Sequence, residues 1–179
     1  CFFAFSARYG NNGTTELYNI AQNYVQGTPT VGQGTIEWME MGNEPEGGWN
    51  GIHNYLSAYQ LAAATSAAYD GHCSTMVTPS KNGYHLGGKN ADPNMKLAMA
   101  GVSAVSNEYI TAMCYWMKAN REDGKVAFDA FNVHNYMAKS IELPNGSQAY
   151  VGISPEEAKI QETLSALLEL RDKYYPEKE

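Results

Sequence analysis

Cysteine is scarce in this chain. Cys1, Cys73 and Cys114 are the only three among 179 residues. The number is odd and no Cys-x-x-Cys pair occurs, so the sequence offers neither a disulfide framework nor a zinc site. Positive charge is also short. Lys and Arg total 12 against 19 Asp and Glu, a net charge of −7, with a pI near 5.1. That balance argues against nucleic acid as a partner, which calls for a basic patch. No apolar run approaches the ~20 residues of a membrane span. No signal peptide is legible. A phosphate-cradling glycine loop, a Walker motif and a Gly-x-Ser-x-Gly elbow are all missing.

What remains fits a globular domain with a real core. Hydrophobic residues make up 44% and aromatics 12%, with 13 tyrosines and 3 tryptophans. The length suggests one domain over residues 1–179. The aromatics suit sugar stacking and an ordinary amphipathic interior equally well.

The chain is organised around Ile36-Glu37-Trp38-Met39-Glu40-Met41-Gly42-Asn43-Glu44-Pro45. Its first half has strand-favouring or apolar side chains. Pro45 has no N–H for a ladder, so it marks the strand's end. Asn43 and Glu44 therefore lie at the carboxyl end of a strand, where parallel α/β sheets and barrels keep their active sites.

Elsewhere, Phe2 to Ala7 reads as a buried strand, followed by a loop from Arg8 to Gly13. Thr14 or Thr15 caps a helix through about Val25, with Leu17, Ile20, Ala21 and Tyr24 at helical spacing. Leu56, Tyr59, Ala63 and Ala67 mark one face of a helix ending near Gly71. Residues 72–95 are a long irregular stretch, of the kind that often binds. Lys96 to Gly101 is a strand. Asn107 caps a helix with the face Ile110, Met113, Cys114 and Met117. Val126 to Val133 is a strand ending at His134, and residues 137–153 are a loop. Ser154-Pro155-Glu156-Glu157 is a capping box opening a last helix, faced by Ile160, Leu164, Leu167, Leu168 and Tyr175. Strands alternating with helices call for an α/β fold with parallel strands and right-handed crossovers.

Gly42-Asn43-Glu44-Pro45 resembles the Asn-Glu-Pro signature of the clan A retaining glycoside hydrolases. Phe131-Asn132-Val133-His134-Asn135-Tyr136 is similar to a later strand of the same families, ending in His-x-Tyr. Arg8-Tyr9-Gly10 and Lys89-Asn90-Ala91-Asp92-Pro93 resemble their large, secreted polysaccharide-degrading members. The resemblance implies a partial (β/α)8 TIM barrel of about four βα units, strands 3 to 6. It also implies a secreted or periplasmic location, bacterial-like, and action on a β-linked polysaccharide or oligosaccharide without a cofactor. A whole barrel needs eight units and ~250 residues. The remainder of the barrel, or another chain, is expected to cover the open sheet edges.

Glu44 is the candidate general acid/base, which protonates the leaving oxygen and then deprotonates water. That role asks for a pKa raised by burial or by a second carboxylate. The plainer reading is a strand-end glutamate bonded to backbone or arginine. Asn43 binds a sugar hydroxyl or simply forms a turn. His134 and Tyr136, two apart at a strand end, point the same way. By resemblance they meet the nucleophile or the sugar; otherwise His134 is a bonded core histidine. Arg8 binds a substrate hydroxyl, orients a carboxylate or makes a salt bridge. Trp49 stacks on a sugar or packs its loop. Asp70-Gly71-His72-Cys73 has metal-ligand types but no partner cluster, so it reads as a helix end.

Retaining enzymes hold two carboxyls ~5–5.5 Å apart. Glu40 and Glu44 share a face, but four residues separate their backbones by ~13 Å, too far for that pairing. Glu40 is expected to be a hydrogen-bonded interior residue. By resemblance the nucleophile is expected on a strand beyond Glu179. The expectation is a double-displacement glycosidase whose acid/base half this chain carries, inactive alone. One rival is a non-catalytic carbohydrate-binding protein on the same scaffold. A second is a small α/β interaction domain with an accidental Asn-Glu-Pro match.

Overall fold

The computed structural model describes residues 1–14, 30–77, 85–103 and 106–176. The expected helix from Thr14 to Val25 lies almost wholly outside these residues. The first element is helix α1, Phe2–Tyr9, where the sequence suggested a strand. A short apolar run carries no periodicity that separates the two. Small residues settle the matter: Ser6 and Ala7 are the buried positions of α1. A Cβ added at Gly88 would lie 2.9 Å from Ser6 Oγ, so the two backbones approach closely.

Strand β1, Trp38–Glu40, pairs in parallel with β2, Lys96–Ala98, in the register Trp38–Lys96, Met39–Leu97 and Glu40–Ala98. The contact continues beyond both strands. Met41 N–H donates to Ala98 O and Glu44 N–H to Gly101 O. On the other side of β2, isolated parallel bridges join Ala98 to Ala130 and Val102 to Val133. Two further strands, β3 (Ala138–Glu142) and β4 (Gln148–Gly152), form an antiparallel hairpin.

The expected fold is therefore corrected. The described residues hold two sheets of two strands each, one parallel and one antiparallel. They do not form about four βα units of a parallel barrel. Phe2 to Ala7 contributes no strand, and Val126 to Val133 contributes only isolated bridges. The expected loop at 137–153 is the hairpin.

Helix α2, Ala58–Ser74, opens on a capping box: Ser57 Oγ accepts from Gln60 N–H, and Gln60 Oε1 accepts from Ser57 N–H at 2.9 Å. Its buried face is Leu61, Ala62, Thr65 and Ser66, not the expected Tyr59, Ala63 and Ala67. Alanines all around the helix blur its hydrophobic phase, so the pattern misplaces the face. Its backbone leaves the helical region at Asp70–Cys73. There Arg121, almost fully buried, donates to both oxygens of Asp70 and of Asp123 and to Ser66 Oγ. Asp70, Cys73 and Asp123 place ligand atoms within 4.8 Å of one another. The guanidinium already occupies both carboxylates, so the group is an ion-paired latch between helices.

A four-residue helix, α3 (Gly88–Ala91), packs against α1 and α2. Helix α4, Asn107–Asn120, is capped by Ser106, one residue before the expected Asn107. Ile110, Met113, Cys114 and Met117 are its buried face, as their spacing suggests. Burial pushes the Cys114 thiol up to about 12, so it is a packing group and not a nucleophile. Ser154 Oγ accepts from Glu157 N–H, as a cap should, but the turn breaks at Lys159 in the left-handed region. Helix α5, Ile160–Tyr174, starts anew after it and buries Leu167 and Leu170, while Leu164 and Leu168 stay half-exposed.

The core lies between the parallel pair and helices α2, α4 and α5, around Leu97, Met99, Met113 and Phe128. Met39 and Met41 turn toward it. Trp38 and Glu40 alternate to the other side and are exposed. No helix among the described residues is long and apolar enough to cross a membrane.

Candidate active site

Glu44 is 7% exposed, buried where the backbone leaves β1. Two unusual backbone positions put it there. Gly42 has φ 126° and Glu44 itself φ 45°. A non-glycine residue in the left-handed region costs energy and persists only where its surroundings hold it. The holding contacts are visible. Glu44 N–H donates to Gly101 O at 2.7 Å, and Gly47 N–H donates to Glu44 O at 3.0 Å.

Its carboxylate is met from a segment ninety residues away. His134 Nδ1 is 3.0 Å from Glu44 Oε1, and the Tyr136 hydroxyl donates to the same oxygen. Parallel bridging of Val133 to Val102 delivers His134, whose own N–H donates to Val102 O. The Tyr136 and His134 hydrogen bonds hold the Glu44 carboxyl below its usual range, against the opposing effect of burial. The expected upward shift is therefore not found in this state. The same bond, with the Glu44 charge, pushes the Tyr136 phenol up, so it stays a donor.

Glu40 closes the group. Its Oε1 accepts from Gly101 N–H at 2.9 Å and lies 3.3 Å from His134 Nε2. Glu40 and Glu44 thus share one imidazole, on opposite nitrogens. The imidazole lies between the two carboxylates. Gly101 makes the meeting possible: a Cβ there would fall 2.2 Å from His134 Nε2 and 2.7 Å from Glu40 Oε1. Glu46 ties the loop after Glu44 to the end of the neighbouring segment, accepting from Ser103 N–H and Oγ.

The other candidates are placed differently. Asn43 is exposed and bridged in parallel to Gly101. Trp49 is 61% exposed on a 3-10 turn, Gly48–Asn50. Its indole folds onto Gly47, where a Cβ would lie 2.1 Å from Cζ2. Trp49 therefore rests on the turn that carries Glu44. Arg8 lies on α1, its guanidinium 5.5 Å from the centre of the Tyr9 ring. In the Lys89-to-Pro93 motif, Asp92 is buried and accepts from Asn11 N–H, while Lys89 pairs with Asp129 at 2.8 Å. A groove of about 490 Å³ runs along α5, past Ile160, Leu164 and Leu168, and includes none of the residues around Glu44.

Sequence reasoning brought forward Glu44, His134 and Tyr136, and the structure joins them. It missed Gly101 and Ser103, and it gave Glu40 only a structural part. For Glu40 the signal was present, since strand alternation sets it on the face of Glu44. For Gly101 and Ser103, which act through backbone N–H groups and packing, side-chain chemistry offered none. No protein-family model matches the chain, and no curated protein or solved structure matches it.

Proposed function

We propose that the chain carries the acid/base half of a retaining glycoside hydrolase site for a β-linked polysaccharide. The observation that carries this reading is the buried Glu44 carboxylate at the end of a parallel strand, held on one oxygen by His134 and Tyr136. Both partners meet Oε1, and Oε2 is the oxygen that serves the substrate. Protonated, Glu44 gives its proton to the leaving glycosidic oxygen while a second carboxylate attacks the anomeric carbon. Ionised, it takes a proton from water, whose oxygen then displaces that carboxylate. No cofactor is needed. The nucleophile is a carboxylate other than Glu40 and Glu46, both of which are engaged elsewhere. On this reading the acid/base half alone has little or no activity, and polysaccharide turnover needs the carboxylate that acts as nucleophile.

The test is hydrolysis of unactivated β-glucans by protein that includes the nucleophile. Glu44→Gln is expected to lower kcat/KM by about 10²- to 10⁴-fold, the usual contribution of a general acid–base group. A smaller loss is expected on aryl glycosides whose leaving group needs no proton. Equal losses on both substrates count against the acid role.

One observation favours a second reading. Two hydrogen bonds favour Glu44 as a carboxylate, and Trp49 is exposed on the turn that follows it. A non-catalytic carbohydrate-binding site needs only these. Glycan binding lost in Trp49→Ala, with no turnover by any form, selects it.

A further inference from the structure

Resting on that reading, we propose that Glu40 is a positioning residue that acts through His134 to make the proton-carrying form of Glu44 available. The ring of His134 lies between two carboxylate oxygens, Nδ1 at 3.0 Å from Glu44 and Nε2 at 3.3 Å from Glu40. A neutral imidazole has one N–H and one lone pair. Facing two anions it must point its lone pair at one of them, which is repulsive. Each carboxylate oxygen has one further donor: Glu40 Oε1 accepts from Gly101 N–H, which Gly42 O shares, and Glu44 Oε1 accepts from the Tyr136 hydroxyl. The anionic acceptor opposite Nε2 holds a proton on that nitrogen, as a second group bonded to a functional imidazole generally does. That leaves the Nδ1 lone pair against Glu44 Oε1, a contact that is favourable only if a proton lies between them.

One proton is therefore held on the Nδ1–Oε1 line, and two arrangements share it. In the first, His134 has both protons and Glu44 is a carboxylate. In the second, the proton has moved to Oε1: the Nδ1–H bond breaks, an O–H bond forms, the ring becomes neutral with Nε2–H, and Glu44 becomes a carboxylic acid. No proton is gained or lost between the two. The terminal torsion of a glutamate is broad and roughly two-fold, so a half-turn of the carboxyl carries the protonated oxygen to the substrate side, where Oε2 stood, and brings the other oxygen to His134 and Tyr136. When Glu44 later deprotonates water, the proton count is restored. This resolves a tension in the site. Its hydrogen bonds favour the ionised Glu44 that the second step needs, while the first step needs the acid.

Among the described residues, the charged and titratable groups at this point come from three places: Glu40 from β1, Glu44 and Glu46 from the turn after it, and Tyr136 from the segment of His134 itself. Tyr136 donates to Oε1 in both arrangements. Glu46 is held by Ser103, and its charge acts on Tyr136.

The experiment is ¹⁵N NMR of histidine-labelled protein, read beside pH–rate profiles of the form that includes the nucleophile. In the wild type, the ¹⁵N shifts are expected to show His134 carrying a proton on Nε2. Glu40→Ala is expected to lose that preference, and Glu40→Gln to keep it, since its amide oxygen remains an acceptor. On unactivated substrate, Glu40→Ala is expected to lower kcat on the order of ten- to a hundredfold, the scale seen when a group orienting a functional imidazole is removed. KM is expected to hold, the basic limb of the profile to move to lower pH, and Glu40→Gln to restore most of the loss. Aryl glycosides with good leaving groups are expected to be spared. A wild-type His134 protonated on Nδ1 alone, or a tautomer unmoved by Glu40→Ala, overturns the proposal whatever the activity. If the NMR result is as expected and no form hydrolyses any glycan, the hydrolase reading falls and the tautomer assignment stands.

Discussion

The contacts of a single carboxylate decide how Glu44 titrates. Its two hydrogen bonds exist only in the folded chain, and they hold its pKa below the unfolded value. For a carboxylate lowered on folding, the stabilisation is fully present above the unfolded pKa, about 4.3 for a glutamate. It is lost as pH falls through the lower, folded value. Tyr136 is the larger contributor, so Tyr136→Phe is expected to let the Glu44 carboxyl rise toward its ordinary range. It is also expected to destabilise the protein at neutral pH, with the difference from wild type shrinking as the solution is acidified below that range. ¹³C NMR titration of the carboxyl and unfolding midpoints at neutral and acid pH measure both. A Tyr136→Phe protein whose Glu44 titrates unchanged would show that the hydroxyl contact does not set the charge there.

At the scale of the element, local chemistry was legible where it was periodic and capped. Helix α4 buries the residues its spacing selects, because Met, Ile and Cys recur at helical intervals against polar neighbours. Helix α2 was placed but turned wrongly, since small side chains carry little phase. The β3–β4 hairpin was overlooked although Pro144-Asn145-Gly146 lies at its turn, with Gly146 at φ 79° and Leu143 N–H donating to Ser147 O. Asn-Gly between alternating residues is a strong hairpin signal. The strand expected at Phe2–Ala7 failed for want of any period at all. Ser57 offers a test at this scale. Its side chain and that of Gln60 satisfy backbone donors at the start of α2. Ser57→Ala is expected to cost about 1 kcal/mol, read as a lowered denaturant midpoint at constant slope. A neutral result would mean that water replaces the cap without penalty. The candidate site was legible for a related reason: an acid, an imidazole and a phenol at strand ends announce themselves by type, while the glycine that lets them meet does not.

Across the whole molecule, stability and surface divide along the two faces of α5 and the sheet. Phe128 is fully buried, its ring 4.9 Å from Phe131 and 6.0 Å from Tyr175 between centres, and the Tyr175 hydroxyl donates to Val126 O nearby. These contacts join the segment after α4 to the end of α5, so a cavity there is felt by both. Leu168, next to the buried Leu167 in the same helix, is 48% exposed. If the described elements share one core and unfold together, Phe128→Ala is expected to cost about 3–5 kcal/mol. Leu168→Ser is expected to stay within about 0.5 kcal/mol, as at an ordinary surface position. Denaturant unfolding followed by tryptophan fluorescence and by far-UV dichroism measures both. Coincident transitions shifted together by Phe128→Ala fit one cooperative unit. A Phe128→Ala protein in which the two probes separate would show that α5 is a lesser unit, docked on the parallel pair and able to leave it. A large loss from Leu168→Ser would show that the exposed face of α5 is covered in solution.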